Sequence, residues 1–216
     1  MLKFDVITLF PQLFTQHLKN LPFRKAVELG LLEVNLHNLR DFAIDKHGTV
    51  DDRPYGGGVG MILMVEPIFK ALESLGKTEN GKKGRVVVLS PSGQKYDQKL
   101  AQEFSKEKEI TLVCGRYEGI DHRVMEHLAT DVISIGDYVV SGGETPALVI
   151  MESVTRLLPG VLEKEAALES ESFLKEGTVE HPQYTRPEDF KGWKVPKVLL
   201  SGNHKEIEKW KGENSC

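Results

Sequence analysis

The chain has 216 residues, 40% of them hydrophobic and 28% charged, with a formal net charge of −4. That balance fits a globular protein with one sizeable core and room for a small annex, and it excludes a strongly basic nucleic-acid binder. No apolar run approaches the roughly 20 residues of a membrane helix, so no membrane partner is expected. The cysteines, Cys114 and Cys216, are too few and too far apart for a disulfide framework or a cysteine metal site, and the expected location is the cytoplasm.

Residues 4–9 alternate and are rich in β-formers, so they read as a strand rather than a signal peptide. A helix is expected after Pro11, with Leu13, Phe14, Leu18 and Leu21 on one side and Pro22 interrupting it. Arg24 to Leu29 form a further helical turn that Gly30 ends, and residues 31–36 read as a second strand. The long polar segment 37–60 ends in DDRPYGGGVGM, where Gly56, Gly58 and Gly60 satisfy a GxGxG pattern. Such loops leave a hydrophobic strand directly, and Thr49 to Tyr55 supply none. Two readings stay open: a ligand loop, or a tight surface turn with Asp51, Asp52 and Arg53 either touching a polar substrate or solvated.

A helix starts near Pro67, with Glu66 at its positive end and Ile68, Ala71, Leu72 and Leu75 facing inward. Lys77 to Gly84 is a polar loop. Residues 85–89 are a continuous apolar run, typical of a strand buried on both faces, ending in Ser90-Pro91-Ser92-Gly93. An amphipathic helix with Leu100 and Phe104 follows. A third apolar run (Ile110, Leu112, Val113) breaks at Gly115-Arg116-Tyr117-Glu118-Gly119. Ile120, Val124 and Leu128 mark a helix leading to a fourth run (Val132, Ile133, Ile135), which breaks at Gly136-Asp137-Tyr138 and then Gly142-Gly143-Glu144. The next helix takes Thr145 as cap and Pro146 in its first turn, buries Ala147, Ile150, Met151, Val154 and Leu158, and stops at Pro159-Gly160.

Alternating strands and helices make residues 1–160 an α/β domain with a mainly parallel sheet. Residues 161–172 carry one basic and four acidic side chains, and 161–178 read as an acidic, flexible linker that orders when RNA docks. Residues 179–216 form a small, mostly helical second domain around Tyr184, Phe190, Trp193 and Trp210, too short for a robust core of its own. Residues 173–216 hold eight basic and seven acidic side chains, so an RNA partner would rely on local basic patches.

No metal set is legible. His122 and His127 are five apart, which does not place them on one helix face, and there is no HExxH. Cys114 at the end of a buried strand is a small hydrophobe, and neither GxSxG nor GxxxxGK[ST] occurs. What remains is three backbone-rich loops at strand ends, 89–93, 115–119 and 134–143. Their free N–H and C=O groups can read a purine edge, and Tyr117 and Tyr138 can cover a ring.

The motifs VDDRPYGGGVGM, VCGRYEGID, SIGDYVVSGGE, YTRPEDF and VLLSGNH, in this order from residue 50 to 204, resemble the bacterial tRNA (guanine-N1)-methyltransferases of the SPOUT class. Those enzymes modify the guanosine just 3′ of the anticodon. The resemblance implies a deep trefoil knot in the C-terminal part of the sheet, a homodimer, tRNA as partner and S-adenosylmethionine as methyl donor. It assigns the donor site to Leu89, Ser90, Pro91, Gly115, Tyr117, Glu118, Gly119, Ile135, Gly136, Asp137, Tyr138, Val139, Val140, Gly142, Gly143 and Pro146. Substrate contacts fall to Asp51, Arg53, Glu118 and Arg156. The active site should lie between the knotted domain of one chain and the C-terminal domain of the other.

Guanine N1 must lose its proton to a carboxylate while charge builds on O6 beside a cation. The resemblance gives the cation to Arg156, whose plain alternative is an i,i+4 pair with Glu152. It gives the base to Glu171, where the family has aspartate; Asp189 is the second candidate. It also allows a divalent ion such as Mg2+ to assist. The family continues further past the GNH motif than Cys216, which implies a shortened RNA grip. The rival readings are an RNA- or donor-binding homologue without turnover, and a knotted methyltransferase acting on another RNA.

Overall fold

The computed structural model describes residues 1–78, 84–162, 172–173 and 177–215. The chain divides into two compact units, Met1–Glu163 and Lys164–Cys216.

The first unit is built on five parallel strands in the order β2-β1-β6-β5-β7. These are β1 (Leu2–Thr8), β2 (Leu32–Asn38), β5 (Arg85–Lys95), β6 (Glu109–Cys114) and β7 (Asp131–Ser134). A separate two-residue ladder pairs β3 (Asp51–Asp52) with β4 (Ile62–Leu63). Alternate residues of each strand enter opposite layers, as the two-residue period requires. Phe4, Val6, Val87, Leu112 and Ile133 pack under α1 (Phe23–Glu28), α3 (Gln98–Phe104) and α5 (Glu144–Thr155). Ile7, Val86, Val88 and Val113 pack under α2 (Val65–Ser74) and α4 (His122–His127). Helices on both faces explain why the strands read as near-continuous apolar runs. β5, β6 and β7 are neighbours, so their carboxyl ends, and the loops that leave them, open side by side.

Several local expectations need correction. Residues 11–19 make two short 3-10 turns, Pro11–Leu13 and His17–Lys19, rather than one helix. Prolines at 11 and 22 restrict the segment, and its bonds close over three residues, as in Phe14 N–H to Pro11 O. Phe14 is buried, but Leu13 and Leu21 are exposed. Ser90-Pro91-Ser92-Gly93 is not a plain loop: β5 runs on to Lys95, and its ladder slips so that both Leu89 and Gln94 pair with Ile133. A Cβ on Gly93 would lie 2.5 Å from the Val132 carbonyl, so only glycine allows that approach. α5 starts at Glu144 with Gly143 as N-cap and no side-chain cap, so Thr145 lies within it, and it ends at Thr155, before Pro159. α4 is a short helix of six residues. Lys77 is buried rather than in a solvated loop, its ammonium 2.7 Å from Glu109.

The second unit holds a hairpin, β8 (Asp189–Phe190) with β9 (Trp193–Lys194), then α6 (Lys197–Leu200) and α7 (His204–Asn214). Trp210 packs against His181 and Tyr184, ring centroids 6.1 and 6.3 Å away. None of its described residues is buried, as a unit this small would lead one to expect.

Candidate active site

The loops leaving β5, β6 and β7 surround one cavity of about 270 Å³. Its size is just under the usual span of ligand pockets. Leu89, Ser90 and Pro91 form one wall; Gly115, Tyr117, Glu118 and Gly119 a second. Ile135, Gly136, Tyr138, Val139, Val140, Gly142, Gly143 and Pro146 complete it. Asp137 is not on the lining; its carboxylate turns outward to Lys95 Nζ at 2.7 Å. Arg116, Ile120, Met125, Ile133, Ser134 and Ser141 also line the cavity; Arg116, Ser134 and Ser141 fall within the candidate loops 115–119 and 134–143, but none of the six was named as a site residue from the sequence. Arg116 and Ser141 lie inside the motif stretches, where neighbours alone could have drawn them in. Met125 carries no local signal, because α4 reaches the cavity only through the fold.

Backbone crossing shapes the floor. Gly143 N–H donates to Gly115 O at 2.8 Å. A Cβ on Gly143 would sit 2.7 Å from Cys114 Cα and 2.8 Å from Gly115 N, so the chain here crosses the end of β6 at a distance only glycine permits. Beneath this crossing lies a charged node. Glu144 is buried and accepts a hydrogen bond from Thr8 Oγ1 at 2.9 Å. Its other oxygen is 3.6 Å from Arg116 Nε. Arg116 donates to Ser141 O at 2.8 Å and lies 4.6 Å over the Phe10 ring. One guanidinium thus ties the end of β1, the loop after β6 and the loop before α5. Glu144 also sits in the first turn of α5, where the helix dipole favours a negative charge.

Burial pushes the Cys114 thiol well above its ordinary value and Glu144 adds to this, while Arg116 opposes it. The thiol is therefore neutral and is no nucleophile. Tyr138 folds back, its hydroxyl donating to Ile135 O at 3.2 Å, and its ring leaves no room for a Cβ on Gly136, which would be 2.5 Å from Cε1. Tyr117 holds a positive φ of 59° and is partly exposed at the mouth.

The glycine segment 56–60 joins β3 to β4 and docks on the wall of the cavity. Glu118 N–H donates to Met61 O at 3.0 Å, and Leu63 N–H to Gly119 O at 3.0 Å. A Cβ on Gly60 would be 2.5 Å from Glu118 Cγ. Asp51 and Arg53 do not line the cavity. Arg156 is the half-buried C-cap of α5, its N–H on Glu152 O at 3.1 Å. It is about 15 Å along the helix from Pro146 and is absent from the cavity lining. Glu171 lies outside the described residues. Asp189 accepts the Gly192 N–H at 2.8 Å and so holds the hairpin turn. Among the described residues no group of three or more His, Cys, Asp or Glu could hold a metal ion, and no helix is long and apolar enough to cross a membrane.

A family model described as tRNA (Guanine-1)-methyltransferase TrmD matches residues 2–216. A tRNA (guanine-N(1)-)-methyltransferase of Clostridioides difficile is 47% identical over 214 residues, covering 99% of this chain and 92% of the relative. That of Dictyoglomus turgidum is 52% identical over 211 residues, covering 98% and 84%. Among solved structures, the tRNA (m1G37) methyltransferase from Aquifex aeolicus superposes with a TM-score of 0.79 at 42% identity, over 97% of this chain and 87% of that one.

Proposed function

This chain belongs to the tRNA (guanine-1)-methyltransferase family, and from that premise we propose how its residues divide the work of methylating N1 of the guanosine 3′ of the anticodon. The protein is a tRNA methyltransferase, a transferase of one-carbon groups. The observation that carries the reading is the closing of three adjacent strand-end loops on one cavity, floored by glycines and braced by Arg116 and Glu144.

The cavity suits S-adenosylmethionine. Apolar walls from Leu89, Ile133 and Ile135 can enclose an adenine, while the backbone groups of the glycine-bearing loops offer donors and acceptors for its edge. When bound there, the cofactor supplies an electrophilic methyl group. We read the Gly143 crossing behind Cys114 and Gly115 as part of the trefoil knot that the resemblance implies; the close backbone approach supports it.

Glu171 takes the N1 proton, and the guanidinium of Arg156 stabilises the charge that develops on O6. Arg156 is absent from the lining of its own chain's cavity, about 15 Å along α5 from Pro146, which supports a homodimer in which one chain's cavity meets the partner's linker and C-terminal domain. In this reading 1–160 is the donor domain, 161–178 the linker and 179–216 the tRNA-binding domain. Asp51, Arg53 and Glu118 contact the RNA, and Mg2+ enters only as an aid to proton loss. The tRNA substrate supports a cytoplasmic location. Glu171 is one methylene longer than the family's aspartate, a shift of roughly an ångström, and misplacement of that size can cost on the order of a hundredfold in rate; the backbone there must compensate.

Glu171→Gln is expected to abolish methyl transfer to unmodified tRNA carrying the target guanosine while leaving donor affinity, read by calorimetry, unchanged. Near-full activity of that variant would overturn the assignment of the base.

A further inference from the structure

The hairpin of β8 and β9 carries an aromatic pair to which the reading above gives no role. Its turn residues, Lys191 and Gly192, both hold positive φ, 56° and 89°. Glycine adopts that region freely, whereas a lysine there bears a steric cost that glycine or asparagine would avoid. The ammonium of Lys191 lies 5.6 Å over the Phe190 ring. Phe190 and Trp193 meet edge to face, centroids 5.8 Å apart, and are 51% and 75% exposed. Lys194 and Lys197 are exposed beside them. The acidic neighbours are Glu188 and Asp189; Asp189 is engaged by the turn and stands 3.8 Å from Lys194.

Single exposed apolar side chains need no explanation. Two paired rings rimmed by lysines, in a unit none of whose described residues is buried, are not a core. Lysine is depleted at protein–protein interfaces, whereas aromatic faces flanked by cations are what an unpaired nucleic-acid strand requires. We propose that the Phe190–Trp193 hairpin is a stacking platform for an unpaired base of the RNA substrate, with Lys191, Lys194 and Lys197 on the flanking phosphates. The inference rests on the tRNA methyltransferase reading above and adds a contact which that reading does not require.

The chain has two tryptophans, Trp193 and Trp210, so Trp210→Phe leaves Trp193 as the only indole. Unmodified tRNA is titrated into that variant while methyl transfer is measured on the same samples. Trp193 emission should be quenched, saturating where transfer saturates. Trp193→Ala and Phe190→Ala should each raise the KM for tRNA roughly five- to a hundredfold, with kcat and donor affinity unchanged. Each Lys→Gln at 191, 194 or 197 should reduce the slope of log affinity against log salt by about one. Should Trp210→Phe fail to fold, the difference between wild-type and Trp193→Phe titrations reports the same signal. Transfer that saturates with constant Trp193 emission overturns the platform and leaves the methyltransferase reading intact. Quenching without transfer supports the platform and counts against that reading. Emission that follows protein concentration rather than tRNA makes the rings a contact between copies and overturns the proposal.

Discussion

Gly143 shows how much one missing Cβ can position. Its N–H and its bare Cα let the strand-end loop cross Cys114 and Gly115 at backbone contact, and the cavity floor exists because of that crossing. A methyl group there meets backbone rather than a side chain that could rotate away, so relief requires the loops to separate. Gly143→Ala is expected to cost about 1–3 kcal/mol of stability and to weaken donor binding, checked by denaturant unfolding and calorimetry; unchanged donor affinity would remove Gly143 from the cavity's construction. The node beneath it works by charge. Glu144 is buried, yet Thr8 and Arg116 face its two oxygens, so its charge is compensated by groups from two other segments.

Among the elements, β1 carries an unexpected burden. Asp5 is fully buried in this interior strand. Its carboxylate meets His37 Nε2 at 2.9 Å, Asn35 Nδ2 at 3.3 Å and Lys3 Nζ at 3.1 Å. Burial pushes its pKa up, but the bonds from His37, Lys3 and Asn35 prevail and hold it below the ordinary carboxylate value. The folded pKa is therefore below the unfolded one, and the unfolded chain takes the proton first as pH falls. The stabilisation is whole above the unfolded value of about 3.9 and is lost as pH drops through the folded one. Melting temperatures between pH 3 and 7 should fall at the acid end for the wild type; an equally steep fall in Asp5→Asn would assign the acid sensitivity elsewhere. α5 has the opposite kind of role. Glu144 braces the cavity at its first turn, and Arg156 closes its last, about 18 Å away.

At the scale of the whole molecule, that separation makes a prediction about assembly. If one chain's cavity works with the partner's Glu171, mixing Gly143→Ala and Glu171→Gln chains, at a donor concentration too low for the Gly143→Ala cavity to turn over, leaves each mixed dimer one intact site. With random exchange about half the dimers are mixed, so activity should recover to about a quarter of wild type. Two inactive variants that stay inactive after exchange, with exchange shown by mass, would place the whole site in one chain.

The sequence alone determined the alternation of buried strands and amphipathic helices, because burial on both sheet faces leaves near-continuous apolar runs, Val86 to Leu89 and Ile110 to Val113 with Thr111 among them. It also determined which loops matter, since glycines and tyrosines gather at the ends of those runs. The tertiary structure decided what periodicity cannot encode. Strand order placed β5, β6 and β7 side by side, and only that adjacency turns three separate loops into one cavity. Arg116 and Glu144 are neighbours of glycines in the sequence, and their joint role appears only when Thr8, 136 positions from Glu144, is brought beside them. Asp5 in a strand and Lys77 at the start of a polar loop carry no sign of their burial until His37 and Glu109 arrive across the fold. The physical reason is common to all of these: hydrophobic pattern is local and repeats along the chain, whereas a buried charge or a missing Cβ takes its meaning from atoms far away in sequence.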